Sequence, residues 1–284
     1  MIQRSILLQL LTGCFILTLV LSSCKNENNK TPEDLRFKVE DLSWEEHPSA
    51  EGCKISVTYP INNDQLSLSV KEWMNEVLGG TYHDSLENGK KLIEYYGKAK
   101  AEEINEIKKE FGESPSINAS CYYIQIKKVF ETELLVSFTS EIYEYSGGAH
   151  GGESLDGAIF RKIDGKRFGW DMFTDEGKEK LRGMIKEDLK KNYFKVSSDD
   201  DFYNQIFDEN ARNKFPLPAA APIFKKHGVT FIYQQYEIAA YAVGMPKCSF
   251  TYEQILNLCT STAQPLIQST NDFIAKTLPY GKQY

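Results

Sequence analysis

The stretch Cys121–Tyr145, CYYIQIKKVFETELLVSFTSEIYEY, limits the folds open to this chain more than any other. It is rich in β-branched and aromatic residues and has one polar break, near Glu131 and Thr132. That composition predicts two long strands joined by a turn, so the fold must be built around a sheet. Directly behind it comes GGAHGG, residues 147–152, in which four glycines flank a histidine.

The flanking patterns extend the sheet and add helices. Ile55, Val57 and Tyr59 alternate with polar residues and predict a half-buried strand over Cys53–Pro60. Val70, Trp73, Met74, Val77 and Leu78 define one helix face, stopped by Gly79 and Gly80. A charged stretch over 86–111 reads as a second helix, closed by Gly112. Downstream, Asp164-Gly165 between apolar runs signals a hairpin. Thr174, followed by Asp175 and Glu176, opens a helix burying Leu181, Met184, Ile185 and Leu189. After the proline-rich FPLPAAAP, the run GVTFIYQQYEIAAYAVG (228–244) reads as a strand. Thr251 and Gln254 form a capping box for a helix reaching Cys259, and a last helix spans about 266–278. Strands and helices follow in mixed order without βαβ alternation. The expectation is an α+β fold of two joined subdomains, mainly antiparallel sheets each covered by helices. Their limits are set at 51–150 and 151–284.

The first 50 residues read differently. Arg4 precedes an apolar run over Ile6–Leu21, which ends at Leu21-Ser22-Ser23-Cys24. This is the pattern of a signal peptide over 1–23 whose cleavage point is a cysteine, as in bacterial lipoproteins. Cys24 would carry the acyl chains (palmitate or similar), and 24–50, polar at its start, would be a tether. The expected location is the cell envelope, held by lipid alone. Lys25 rather than aspartate after the cysteine favours the outer membrane. Losing Arg4 with the leader leaves 32 basic against 40 acidic residues. That acidic balance argues against a nucleic-acid partner.

Four cysteines then remain, and an exported protein permits bridges. The expected pairings are Cys53 with Cys121 and Cys248 with Cys259. There is no CxxC and no zinc-ligand spacing, so neither a metal nor a cofactor is expected.

His150 is the one tempting catalyst. It has no HExxH partner, and the chain contains neither a GxSxG elbow nor a phosphate-binding GxxxxGK[ST] loop. Two readings of the loop stay open. In one, glycines build a tight turn that His150 pins. In the other, Tyr143, Tyr145, Gly147, Gly148, His150 and Gly151 form a ligand-binding loop. The tyrosines at 122, 123, 143, 145, 233, 236 and 241 are explained by sheet packing or, alternatively, by an aromatic platform.

Taken in order, ISVTYP, LLVSFTSEIYEYSGGAHGG, IDGKRFGWDMF, GVTFIYQQYEIAAYAVG and CSFTYEQIL resemble the RsiV-type extracytoplasmic family. That family includes a lysozyme-sensing anti-sigma-factor ectodomain and an accessory region of some peptidoglycan deacetylases. Its most specific pieces here are Tyr145–His150 and Tyr236–Ala239, with Tyr241 and Gly244 after them. The resemblance runs from about Ile55 to Leu258. Ala240 stands where the family has proline, and neither an anti-sigma segment nor a deacetylase module accompanies the domain. The resemblance implies an envelope module that binds a glycan-cleaving protein such as lysozyme, or a peptidoglycan fragment, and is not an enzyme. The alternative is an envelope-polymer hydrolase using His150 with Glu153 or Asp156.

Overall fold

The computed structural model describes residues 36–46, 52–112, 114–207 and 209–277. The expected signal peptide (1–23), the expected lipid-bearing Cys24 and the start of the expected tether lie outside them. The first sheet is built from β1 (Val39–Glu45), β2 (Cys53–Pro60), β3 (Cys121–Glu131), β4 (Leu135–Tyr145), β5 (Gly152–Arg161) and β6 (Arg167–Phe168), in that spatial order. Every pairing is antiparallel except β2 with β3. Parallel neighbours need a long crossover, and here it consists of α1 (Gln65–Leu78), α2 (Gly89–Phe111) and the single turn α3 (Pro115–Asn118). Asp64 caps α1 by accepting from the Ser67 N–H at 2.8 Å. β1 was not expected; it occupies part of the segment assigned to the tether. Of its residues only Leu42 is fully buried, so no alternation announced it.

The second half supplies α4 (Asp175–Asp188), α5 (Asp199–Tyr203), β7 (Ile223–Lys225), β8 (Gly228–Ile232), β9 (Lys247–Phe250), α6 (Tyr252–Leu256) and α7 (Gln264–Thr277). β7, β8 and β9 form an antiparallel sheet. The Thr174 cap and the Thr251/Gln254 capping box are both present, and Gly165 takes φ +69 in the β5–β6 hairpin.

The α+β organisation is as expected, with two joined parts around two cores. Register shows how they join. Val136, Phe138, Ala158 and Phe160 share one face of the first sheet and pack with α1 and α2 residues such as Val70, Trp73 and Leu92. Leu135 and Ile159 point the other way, into a core with Leu181, Ile185, Phe231 and Ile255. A bulge between Lys128 and Phe130 reverses the parity of β3, which turns Phe130 into this second core. At Gly157 the second sheet comes so close that a Cβ would lie 2.7 Å from Ile223 Cγ1. Glycine is what lets β7 cross there. The limit set at 150/151 therefore falls between two hydrogen-bonded neighbours of one sheet, β4 and β5.

Two expectations are corrected. The strand over 228–244 ends at Ile232, because the Gln234-Gln235-Tyr236-Glu237 segment turns away, as described below. The cysteine bridges are absent: Cys53, Cys121, Cys248 and Cys259 are all free and buried. Cys53 is in register with Tyr122, so it projects to one face of the sheet and Cys121 to the other. Cys248 faces the second core from β9 opposite Phe231. Cys259 is carried past α6, where its thiol donates to the Ile255 carbonyl at 3.3 Å.

Burial pushes the Cys53 and Cys259 thiols up to about 12. A scarce thiolate makes a slow nucleophile. Exported, unreduced, lipid-free protein should therefore react slowly with a thiol reagent while native and yield four thiols per chain once unfolded. A titre of two or none after unfolding would show bridges.

A second expectation comes from Glu131, which accepts from the Phe37 N–H at 2.6 Å and from Lys128 Nζ at 2.8 Å, and pairs with Lys162. Burial alone would raise this carboxyl, but the hydrogen bonds from Lys128, Lys162 and Phe37 outweigh it and hold the pKa below the ordinary 4.5. A depressed carboxylate contributes its stability above its unfolded pKa and loses it as pH falls through the folded value. Glu131→Gln should cost about 1–3 kcal/mol at neutral pH and lose most of that deficit in acid, as read by denaturant melts at several pH values. A deficit that does not change with pH would count against this role.

Candidate functional site

The site forms where β4 turns into β5. Gly147 and Gly148 take φ +98 and +95, a region that side chains with a Cβ rarely enter. At Gly147 a Cβ would also lie 2.5 Å from Ile117 Cδ1, and at Gly151 it would lie 2.6 Å from the Tyr143 ring. The Tyr145 hydroxyl donates to the Gly148 carbonyl at 2.9 Å and closes the turn. Three of the four glycines thus serve the backbone. Gly152 takes neither a positive φ nor a close contact.

His150 stands exposed at the tip, and its aromatic partners come from far along the chain: Tyr236, 86 residues on, and Tyr241 beyond it. Nδ1 lies 3.1 Å from the Gly151 carbonyl, and Nε2 lies 3.1 Å from the Tyr236 hydroxyl. A carbonyl can only accept, so Nδ1 carries a proton, and in the neutral ring Nε2 accepts from Tyr236. The imidazole also stacks on Tyr241, with centroids 3.5 Å apart and planes 12° apart. Tyr236 and Tyr241 lie 5.8 Å from each other. Alongside, Tyr143 stacks on Tyr123 at 6.1 Å. The Tyr143 phenol is pushed up, first by burial and then by Cys121, Tyr241, Glu153 and Tyr145 around it. It therefore stays neutral at physiological pH.

The segment that brings Tyr236 and Tyr241 here is fastened to β5 by side-chain amides. Gln234 accepts from the Leu155 N–H at 2.9 Å and donates to the Leu155 carbonyl at 2.8 Å. Gln235 accepts from the Glu153 N–H at 2.8 Å. These amides stand in for a neighbouring strand along a part of β5 that β6 does not reach, and so cover an otherwise open edge. The Glu237 carboxylate accepts from Gln234 N and Ala219 N, each at 2.7 Å, and closes the turn. Tyr236 sits at φ +65 and is 55 % exposed. A non-glycine residue in that region costs energy unless its surroundings impose it. Sequence reading missed Gln234, Gln235 and Glu237 because it took them for strand residues. The polar run that follows the apolar GVTFIY was the available signal.

The carboxylates do not gather around His150. Glu153 and Asp156 are an odd number of positions apart on a regularly paired strand and so point to opposite faces. Asp156 Oδ1 is occupied by the N–H groups of Gly157 at 2.7 Å and Ala221 at 2.8 Å. Of the remaining tyrosines, Tyr233 is fully buried and donates to the Pro216 carbonyl at 2.7 Å. Lys100 lies 4.9 Å above the ring of the half-buried Tyr122. Among the described residues, no three His, Cys, Asp or Glu side chains are grouped to hold a metal ion.

Gly148 has open space around it, so only its backbone angle resists a side chain. Gly148→Val should lower stability by more than about 1 kcal/mol. Gly152→Ala, with no such constraint, should melt like the parent. Equal melting of both variants in a thermal scan would contradict the turn reading.

Residues 46–153 match the family described as Deacetylase PdaC, and residues 170–253 match the family described as Protein of unknown function (DUF3298). No curated protein is a significant sequence match. Among solved structures, a DUF3298-family protein from Bacteroides fragilis superposes with a TM-score of 0.66 at 19 % identity, over 84 % of this chain and 97 % of that one. A DUF3298-family protein from Pseudomonas aeruginosa superposes with a TM-score of 0.54 at 19 % identity, over 80 % and 95 %. The chain thus joins a PdaC-type region to a DUF3298-type region, on the fold of the DUF3298-family structures.

Proposed function

We propose that this protein is a binding module of the cell envelope, exported by the leader over 1–23 and lipid-anchored at Cys24, whose partner is a glycan-cleaving protein of the lysozyme type. One observation carries the reading. The two most specific pieces of the family resemblance, Tyr145–His150 and Tyr236–Tyr241, lie far apart in sequence yet meet as an exposed aromatic cluster. One piece belongs to the PdaC-type region and the other to the DUF3298-type region, so the cluster requires both. The exposed Tyr236, hydrogen-bonded to His150, and the half-buried Tyr241, stacked on the same ring, resemble the aromatic anchors that dominate protein interfaces. A surplus of carboxylates suits a basic partner, which lysozymes characteristically are. The hydrolase reading has less support, since Glu153 and Asp156 diverge and Asp156 already serves the backbone.

The test is a titration of lipid-free protein with a lysozyme at two ionic strengths. Binding is expected, with on-rates falling clearly by about 0.5 M salt. Tyr236→Gly keeps the backbone angle accessible and removes the ring, so it should weaken binding about tenfold or more with little change in melting. Lysozyme binding that survives Tyr236→Gly and His150→Ala would move the site elsewhere. Binding of soluble peptidoglycan fragments instead, with little salt dependence, would favour a glycan ligand. Glycan turnover abolished by His150→Ala would make the protein an enzyme.

A further inference from the structure

Exposed apolar side chains on a protein surface are ordinary when they are scattered. Here they are not. Among the described residues nine large apolar or aromatic side chains are exposed, and five of them, Ile61, Leu68, Val129, Leu134 and Ile163, belong to one end of the first sheet. Ile61 directly follows β2, Val129 sits at the bulge of β3, and Leu134 lies in the β3–β4 turn. Ile163, 88 % exposed, lies in the β5–β6 turn. β2 runs parallel to β3, and Leu135 pairs with Arg161, so all four positions come to the same end. The Lys162 N–H donates to the Leu134 carbonyl at 2.8 Å and ties the two turns together. Leu68 joins them from the start of α1, where a Cβ on Gly165 would lie 2.6 Å from the neighbouring Ser69 Oγ.

The chain coming from Cys24 enters the fold at this same end. Phe37 is 6 % exposed, and its ring meets Phe138 edge-on at 6.2 Å. The β3–β4 hairpin grips its backbone on both sides: the N–H donates to Glu131 at 2.6 Å, and the carbonyl accepts from Lys128 Nζ at 3.3 Å. The next residue, Lys38, accepts through its carbonyl from the Ile61 N–H at 3.2 Å. Residues 25–35 separate Cys24 from Arg36, and covalent geometry limits that stretch to roughly 40 Å. A bilayer holding Cys24 is therefore within reach, and so short a link raises its effective concentration. A contact too weak to capture free protein would be populated in the anchored one.

Charge at this end is of the matching kind. Segments 36–38, 61–64, 128–134 and 161–166 carry six basic against four acidic side chains, whereas the whole chain has a formal net charge of −7. Apolar tips flanked by lysines suit the interfacial layer of a membrane, where the tips enter and the amines stay among the headgroups. Anionic headgroups add attraction.

We propose that this end of the sheet is a membrane-contact face, with Leu134 and Ile163 entering the headgroup layer of an anionic bilayer and Arg36, Lys38 and Lys166 at its phosphates. The inference rests on the Cys24 anchor proposed above and adds a protein contact to it. It also sets orientation: β4 has 11 residues, so the His150 cluster at its far end stands roughly 35 Å away, turned toward the partner.

Coupling the leaderless chain through Cys24 to a maleimide lipid supplies an anchor whether or not a cell acylates that cysteine. The other four cysteines are buried and compete poorly. The mass of the Cys24 peptide from native protein tests acylation separately, so failure of the anchor reading and failure of the contact are told apart. On phosphatidylethanolamine–phosphatidylglycerol vesicles, hydrogen exchange over 129–134 and 161–166 should slow about threefold or more relative to uncoupled protein, while 146–150 is unchanged. The double variant Leu134→Ser, Ile163→Ser alters exposed positions, so it should melt like the parent and lose the slowing. Equal rates with and without vesicles at both turns, slowing at 146–150 instead, or slowing that survives in the double variant would overturn the assignment.

Discussion

The fold depends on β4 and β5 being buried from both sides. In most antiparallel sheets one face meets the core and the other meets water. Here Val136, Phe138 and Phe160 are fully buried against the α1–α2 layer, and Leu135 and Ile159 are fully buried against the second core. Neither half could close without this pair of strands, because each would leave one of its faces exposed. The glycine at 157 follows from the same constraint, since β7 has to cross a strand already packed on its other side.

The upper part of β4 leaves the second core, and the site forms where it does so. Beyond Ser137 the second face carries Thr139, Glu141 and Tyr143, none of which belongs to either core. The strand pair runs out into the Gly147–Gly152 turn, where the C-terminal half reaches back along β5. It does so with amide side chains rather than with a strand. Gln234 and Gln235 satisfy the β5 edge but leave the backbone of their own segment free to curl. That curl places Tyr236 at a positive φ and Tyr241 over the His150 ring. An added strand at this edge would have kept the segment extended and aimed its tyrosines along the sheet.

The glycine cluster is backbone architecture at three of its four positions. Gly147, Gly148 and Gly151 are required by backbone angle or by close approach. His150 contributes one hydrogen bond to that turn and spends its other nitrogen and its ring face on tyrosines from the far half. The turn is therefore a mount, and the exposed cluster is what it presents.

Local chemistry was enough to determine much of this from sequence. The Cys121–Tyr145 strands, the α1 stripe, the Asp164-Gly165 hairpin and the Thr174 and Thr251 caps each depend on residues within one turn or one strand, so short-range patterns carry them. What failed in sequence depended on partners remote in the chain. β1 exists because β2 offers it an edge, although its own residues hardly alternate. The cysteines stay apart because a parallel register puts Cys53 and Cys121 on opposite faces, and register is invisible without the partner strand. The strand over 228–244 broke at Ile232 because amide side chains found a better use on β5 than in a ladder. The meeting of His150 with Tyr236 and Tyr241 belongs to the same class: sequence named the residues, but only the double-sided packing of β4 and β5 brings the two halves close enough for them to touch.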